Sequence, residues 1–105
     1  MFNPEHLEEI TGGNTQLAQR ILSEFISTTT EDLRRLQQAI NTNNPATMVS
    51  LAHRIKGAAA AIGATHLQEQ ADCLEQATSG YQSLFDELQT RFQSIHSTLP
   101  NVHQK

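Results

Sequence analysis

The chain has 105 residues and a formal net charge of −4, is 37% hydrophobic and contains one Cys and no Trp. That length gives one domain with a substantial core, and an acidic balance without an Arg/Lys cluster or aromatic platform argues against a nucleic-acid partner. A lone Cys73 excludes a disulfide framework. No apolar run approaches the ~20 residues that span a bilayer, and the first residues lack a signal-peptide pattern, so a cytoplasmic location without membrane contact is expected.

Punctuation divides the chain into five helical stretches. Asn3-Pro4 reads as an N-cap followed by proline at the first helical position, opening a short helix that Thr11-Gly12-Gly13 ends. Asn14 caps a second helix with apolar residues Leu17, Ile21, Phe25, Leu33, Leu36 and Ile40, and the polar run Ser27 to Thr30 is expected to bend it. Asn41 to Pro45 is a loop with a second Asn-Pro cap. The third helix then runs to about Ile62, where Gly63 closes it. Thr65-His66-Leu67-Gln68 fits a capping box for a fourth helix that buries Leu67, Ala71 and Leu74 and stops near Ser79-Gly80. A fifth carries Tyr81, Leu84, Phe85, Leu88, Phe92, Ile95 and Leu99, with Pro100 beyond it. Nothing alternates with a period of two. The pattern predicts an all-α fold, an antiparallel four-helix bundle with a short additional N-terminal helix, over residues 1–100, with 101–105 as a disordered tail.

The third helix holds the most informative residues. At about 100° per residue from Ile55, the side chains of Met48, Leu51, Ala52, Ala58, Ala59 and Ile62 fall within about 60° and form a core stripe. His53 comes out at about 160°, facing away from that core. Its neighbours on that face are Val49, Ser50, Lys56, Gly57, Ala60 and Ala61, all small or short except Lys56. A glycine inside a helix costs roughly 0.5–1 kcal/mol relative to alanine, so Gly57 needs a reason, and clearance for something large approaching His53 supplies one. Lys56 adds a positive charge within reach of whatever sits on the ring. An exposed, uncrowded imidazole beside an ammonium suits transfer of an anionic group such as phosphoryl. Taken singly, each residue has a plainer reading: a solvated histidine, a solvated lysine, a glycine at a kink or close helix crossing.

Ala52-His53-Arg54-Ile55-Lys56-Gly57, followed by small residues, then Gly63-Ala64-Thr65-His66-Leu67 and Leu74-Glu75, resembles the histidine-containing phosphotransfer (HPt) domain. Leu7 to Asn14 is similar to the N-terminal segment of that family, so the resemblance spans Phe2 to about Leu99. One departure is small: where the family often has a cysteine, four residues after Leu67, this chain has Ala71. The resemblance implies that His53 is a phosphoacceptor taking phosphoryl from a receiver-domain phospho-aspartate and passing it to another receiver, with Lys56 as electrostatic aid and Gly57 as clearance. Docking is expected around Val49, Ser50, Ala60 and Ala61 and on facing residues of the second helix. The chain itself is then a monomeric phosphocarrier rather than an enzyme, with no bound cofactor, and Mg²⁺ comes with the partner receiver domain. A C-terminal module of a hybrid sensor histidine kinase fits the same pattern.

Two other classes stay open at the sequence level. The dimerisation and phosphoacceptor domain of an autophosphorylating kinase normally resembles His-Glu-x-x-x-Pro, whereas here Arg54 follows the histidine and no proline lies near. A non-catalytic helical adaptor with an incidental His53 is the other. The five histidines show no pairing on one helix that would ligate a metal, and no glycine-rich nucleotide loop is present. Acids such as Glu8, Glu9, Glu31, Asp32, Asp86 and Glu87 are expected near helix starts, where the helix dipole favours them.

Overall fold

The computed structural model describes residues 4–97. Five helices follow one another: α1 (Pro4–Thr11), α2 (Thr15–Asn41), α3 (Pro45–Ala61), α4 (Thr65–Gln76) and α5 (Tyr81–Ser97). Helix α2 has 27 residues. At about 1.5 Å per residue it is about 40 Å long, which accounts for the 42 Å long dimension of the molecule.

Helices α2 to α5 form a closed four-helix ring. Each packs on its chain neighbours, α2 meets α5, and the backbones of the diagonal pairs α2/α4 and α3/α5 stay apart across the core. Helix α1 packs on α2, and the His6 ring lies 3.1 Å from the Ala61 carbonyl at the end of α3. The core combines Leu22, Phe25, Ile26, Leu33 and Leu36 of α2 with Met48, Leu51, Ala52, Ile55 and Ala59 of α3. Leu67, Ala71 and Leu74 of α4 and Phe85, Leu88, Phe92 and Ile95 of α5 complete it.

Local chemistry sets most of the boundaries. The Asn14 side chain accepts from the Leu17 amide at 3.0 Å and the Asn44 side chain accepts from the Thr47 amide at 3.2 Å, as the caps predict. Helix α3 closes as Gly63 adopts φ +73°. The Gly63 amide then donates to Ala60 and the Ala64 amide to Ala59, the paired bonds of a Schellman stop. Asn43, at φ +52°, performs the same turn after α2.

One expectation needs correction. Thr65 is already the first residue of α4, and the cap position is the buried Ala64, which has no side-chain hydrogen bond to give, so the capping box does not form. Helix α2 is continuous through Ser27 to Thr30, because Thr29 and Asp32 occupy core-facing positions on the same stripe as Phe25 and Leu36. Leu17 is exposed and Ile21 only partly buried, while Leu22 and Ile26 fill the core. The predicted Asn3 cap, Leu99, Pro100 and the tail at 101–105 lie outside the described residues.

Candidate functional site

Helix α3 is braced on both sides, by α2 and by α4, and buries Met48, Leu51, Ala52, Ile55 and Ala59 between them. Ile55 and Ala52 are fully buried, so the backbone that carries His53 cannot rotate without opening the core. The opposite side of the helix presents His53, with its side chain 68% exposed. Val49, Ser50, Gly57, Ala60 and Ala61 are exposed around it, as the spacing predicts.

A carboxylate of α4 fixes the ring. His53 Nδ1 lies 3.0 Å from Glu75 Oε2. A carboxylate only accepts, so Nδ1–H is the donor, and in the neutral ring the lone pair resides on Nε2, at the solvent side. Glu75 also lies 2.7 Å from Lys56 Nζ through its other oxygen, and Lys56 Nζ is 3.2 Å from Asp72 Oδ1. One carboxylate thus joins the histidine to the lysine. Lys56 is not a free ammonium beside the ring, as its position on the helix suggests, but a half-buried group drawn toward α4.

The charges support one another. The Lys56 ammonium is the main cause that holds the Glu75 carboxyl below its ordinary value of 4.5, with His53 helping and burial opposing. Reciprocally, Glu75 and then Asp72 raise Lys56 above its ordinary 10.5. Both groups are ionised across the whole neutral range.

A second ion pair flanks the histidine on its other side. Arg54 Nε lies 3.1 Å from Asp32 Oδ2 on α2, whose side chain is only 4% exposed. Asp32 is in the middle of α2, so the helix dipole does not explain it, and neither does it explain Glu31, which binds Arg34 one turn on. Sequence reasoning missed Asp32, Asp72 and Arg54 as site neighbours, and it quoted Glu75 only as part of a motif. Asp72 and Glu75, three apart and both beside the buried Leu74, are the one visible signal of a carboxylate pair facing α3.

No close packing among the described residues calls for a glycine at Gly57. A Cβ built on it meets nothing within 4 Å, which excludes a close helix crossing at that point. Nor does α3 break there: it runs as one helix from Pro45 to Ala61.

The comparisons with known proteins agree with this geometry. A family model described as Hpt domain matches residues 20–101, which is more than half of the chain, and the chain therefore belongs to the Hpt domain family. Neither the curated proteins nor the solved structures compared gave a match. Membership makes the chain a helical phosphocarrier module of histidine phosphotransfer in two-component signalling, a class that works with receiver domains of response regulators. Among the described residues no helix is long and apolar enough to cross a membrane.

Proposed function

We propose that His53 Nε2 accepts a phosphoryl group from the phospho-aspartate of one receiver domain and passes it to the aspartate of another. The observation that carries this reading is the Nδ1 contact to Glu75 on a ring that is otherwise open to solvent. As Nε2 attacks, an N–P bond forms and the P–O bond to the aspartyl carboxylate breaks, the electron pair leaving with that carboxylate. The ring becomes positive while Nδ1 keeps its proton, and the Glu75 carboxylate offsets that charge. Return transfer to the second receiver reverses each of these changes.

Lys56 acts as the electrostatic aid: joined to the ring through Glu75, its ammonium turns from Asp72 toward the phosphoryl oxygens once they arrive. Gly57, with Val49, Ser50, Ala60 and Ala61, provides the low surface on which the receiver lands. Mg²⁺ belongs to the receiver and not to this chain. The reading takes the protein as a cytoplasmic monomer, and the same chemistry serves a module joined to a hybrid sensor histidine kinase.

The test is uptake of label from receiver domains charged with acetyl phosphate. The chain should acquire phosphoryl that is lost in acid and kept in base, the behaviour of an N–P bond. Label that survives acid, or no label from any of a broad set of receivers, would refute the proposal.

Replacing Glu75 probes the positioning of the ring. Glu75→Gln should slow transfer by about tenfold, because the amide oxygen can still accept from Nδ1 but no longer offsets the positive charge that develops on the ring. It should also change the acid limb of stability. A carboxyl held below 4.5 contributes stability that is present above that pH and lost as pH falls through the folded-state value. Thermal melts between about pH 3 and pH 6 should therefore show a shallower slope in Glu75→Gln than in wild type. Identical slopes would show that the Glu75 ion pairs contribute nothing to the folded state.

A further inference from the structure

The two cations that flank His53 are held differently. Lys56, on the α4 side, has two carboxylates, Asp72 and Glu75, around its single ammonium. Arg54, on the α2 side, meets one carboxylate and spends only Nε on it, leaving both Nη groups without a partner among the described residues. Its side chain is 55% exposed although the Asp32 side chain beneath it is almost wholly buried. Arg35, three residues after Asp32 and so on the same edge of α2, is exposed as well.

Taking a carboxylate out of water is costly, and one exposed partner repays that cost poorly. Stability alone therefore gives little reason for Asp32. Its geometric effect is definite: an arginine on a free stem samples many rotamers, whereas one tethered at Nε presents a fixed planar fork. That fork stands at the edge of the His53 face, about 100° round α3 from the phosphoacceptor, and the group arriving on that face is an acyl phosphate and hence an anion. Its Nη groups have the geometry to take a carboxylate bidentately.

Resting on the phosphotransfer reading above, we propose that Arg54, posed by Asp32, is a docking and specificity residue that engages an acidic side chain at the rim of the incoming receiver's phosphorylation site. Asp32 is the positioning residue for Arg54. The partner is thus selected on the α2 side of His53, while the α4 side organises the ring.

The experiment measures the rate of phosphoryl transfer from a charged receiver to the chain as a function of receiver concentration and of salt. Arg54→Ala should raise KM about fivefold, with the larger part of the loss in KM and not in kcat, and should flatten the salt dependence of kcat/KM. Arg54→Lys keeps the charge but not the fork and should fall between the two. Asp32→Asn should reproduce part of the Arg54→Ala defect if its helicity and melting match a folded bundle. Because Asp32 is buried and its loss risks the fold, the Arg54 variants decide the matter. A merely structural Asp32–Arg54 tie predicts a lower melting temperature with KM and salt slope at wild-type values, and that result overturns the inference alone. Failure of the wild-type chain to take phosphoryl from any receiver overturns the phosphotransfer reading and this inference with it.

Discussion

His53→Gln is expected to leave a folded bundle that takes up no phosphoryl, with a loss on the order of 10³-fold or more, set by the detection limit. The ring is exposed and contributes nothing to the core, so helicity and melting should stay near wild type. Glutamine retains a hydrogen-bonding group for Glu75 but has no nucleophilic nitrogen, since the amide lone pair is delocalised. The other described histidines offer no substitute. The His6 ring sits against the Ala61 carbonyl, His96 is packed beside Phe92, and among the described residues no carboxylate orients His66. Radiolabel from a charged receiver, followed by peptide mapping, checks the prediction. Undiminished uptake in His53→Gln would move the acceptor to another residue and remove the assigned role of the α3 face.

The helices themselves were legible because their signals are local. An asparagine cap, an Asn-Pro start and a glycine stop each act within four residues, and all three appear at α2 and α3 where the sequence puts them. The exposure of His53 was legible for the same reason, since the 3.6-residue period places it opposite Ile55 and the structure keeps it there. What stayed hidden depends on neighbours distant in sequence. Asp32 and Arg54 are 22 residues apart, as are His53 and Glu75, and no periodicity within one helix reports such pairings. Across the polar run at 27–30 the buried series Leu22, Phe25, Thr29, Asp32, Leu36 and Ala39 keeps a regular spacing of three and four, and the helix follows the spacing. Charge at one of those positions marks a tertiary partner and not an interruption. The Thr65 capping box failed by one residue, because the tight stop after α3 had already committed Ala64 to the cap position.

Gly57 separates stability from function most clearly. Since an added Cβ meets no atom within 4 Å, Gly57→Ala should be accommodated without movement and should stabilise the helix by about 0.5–1 kcal/mol through the lower backbone entropy of the unfolded chain. A residue retained for packing within the bundle would respond in the opposite direction. Gly57→Leu extends a branched side chain one turn from the imidazole, on the face the receiver must approach. In-line attack needs the reacting atoms within about 3–3.5 Å, and a displacement of about 1 Å costs on the order of a hundredfold in rate. We therefore expect Gly57→Leu to melt no lower than wild type and to transfer phosphoryl about a hundredfold more slowly, with Gly57→Ala between them in rate. Paired melting curves and single-turnover transfer rates for the three chains test both halves together. Wild-type transfer in Gly57→Leu would show that the open surface beside His53 is not where the partner seats.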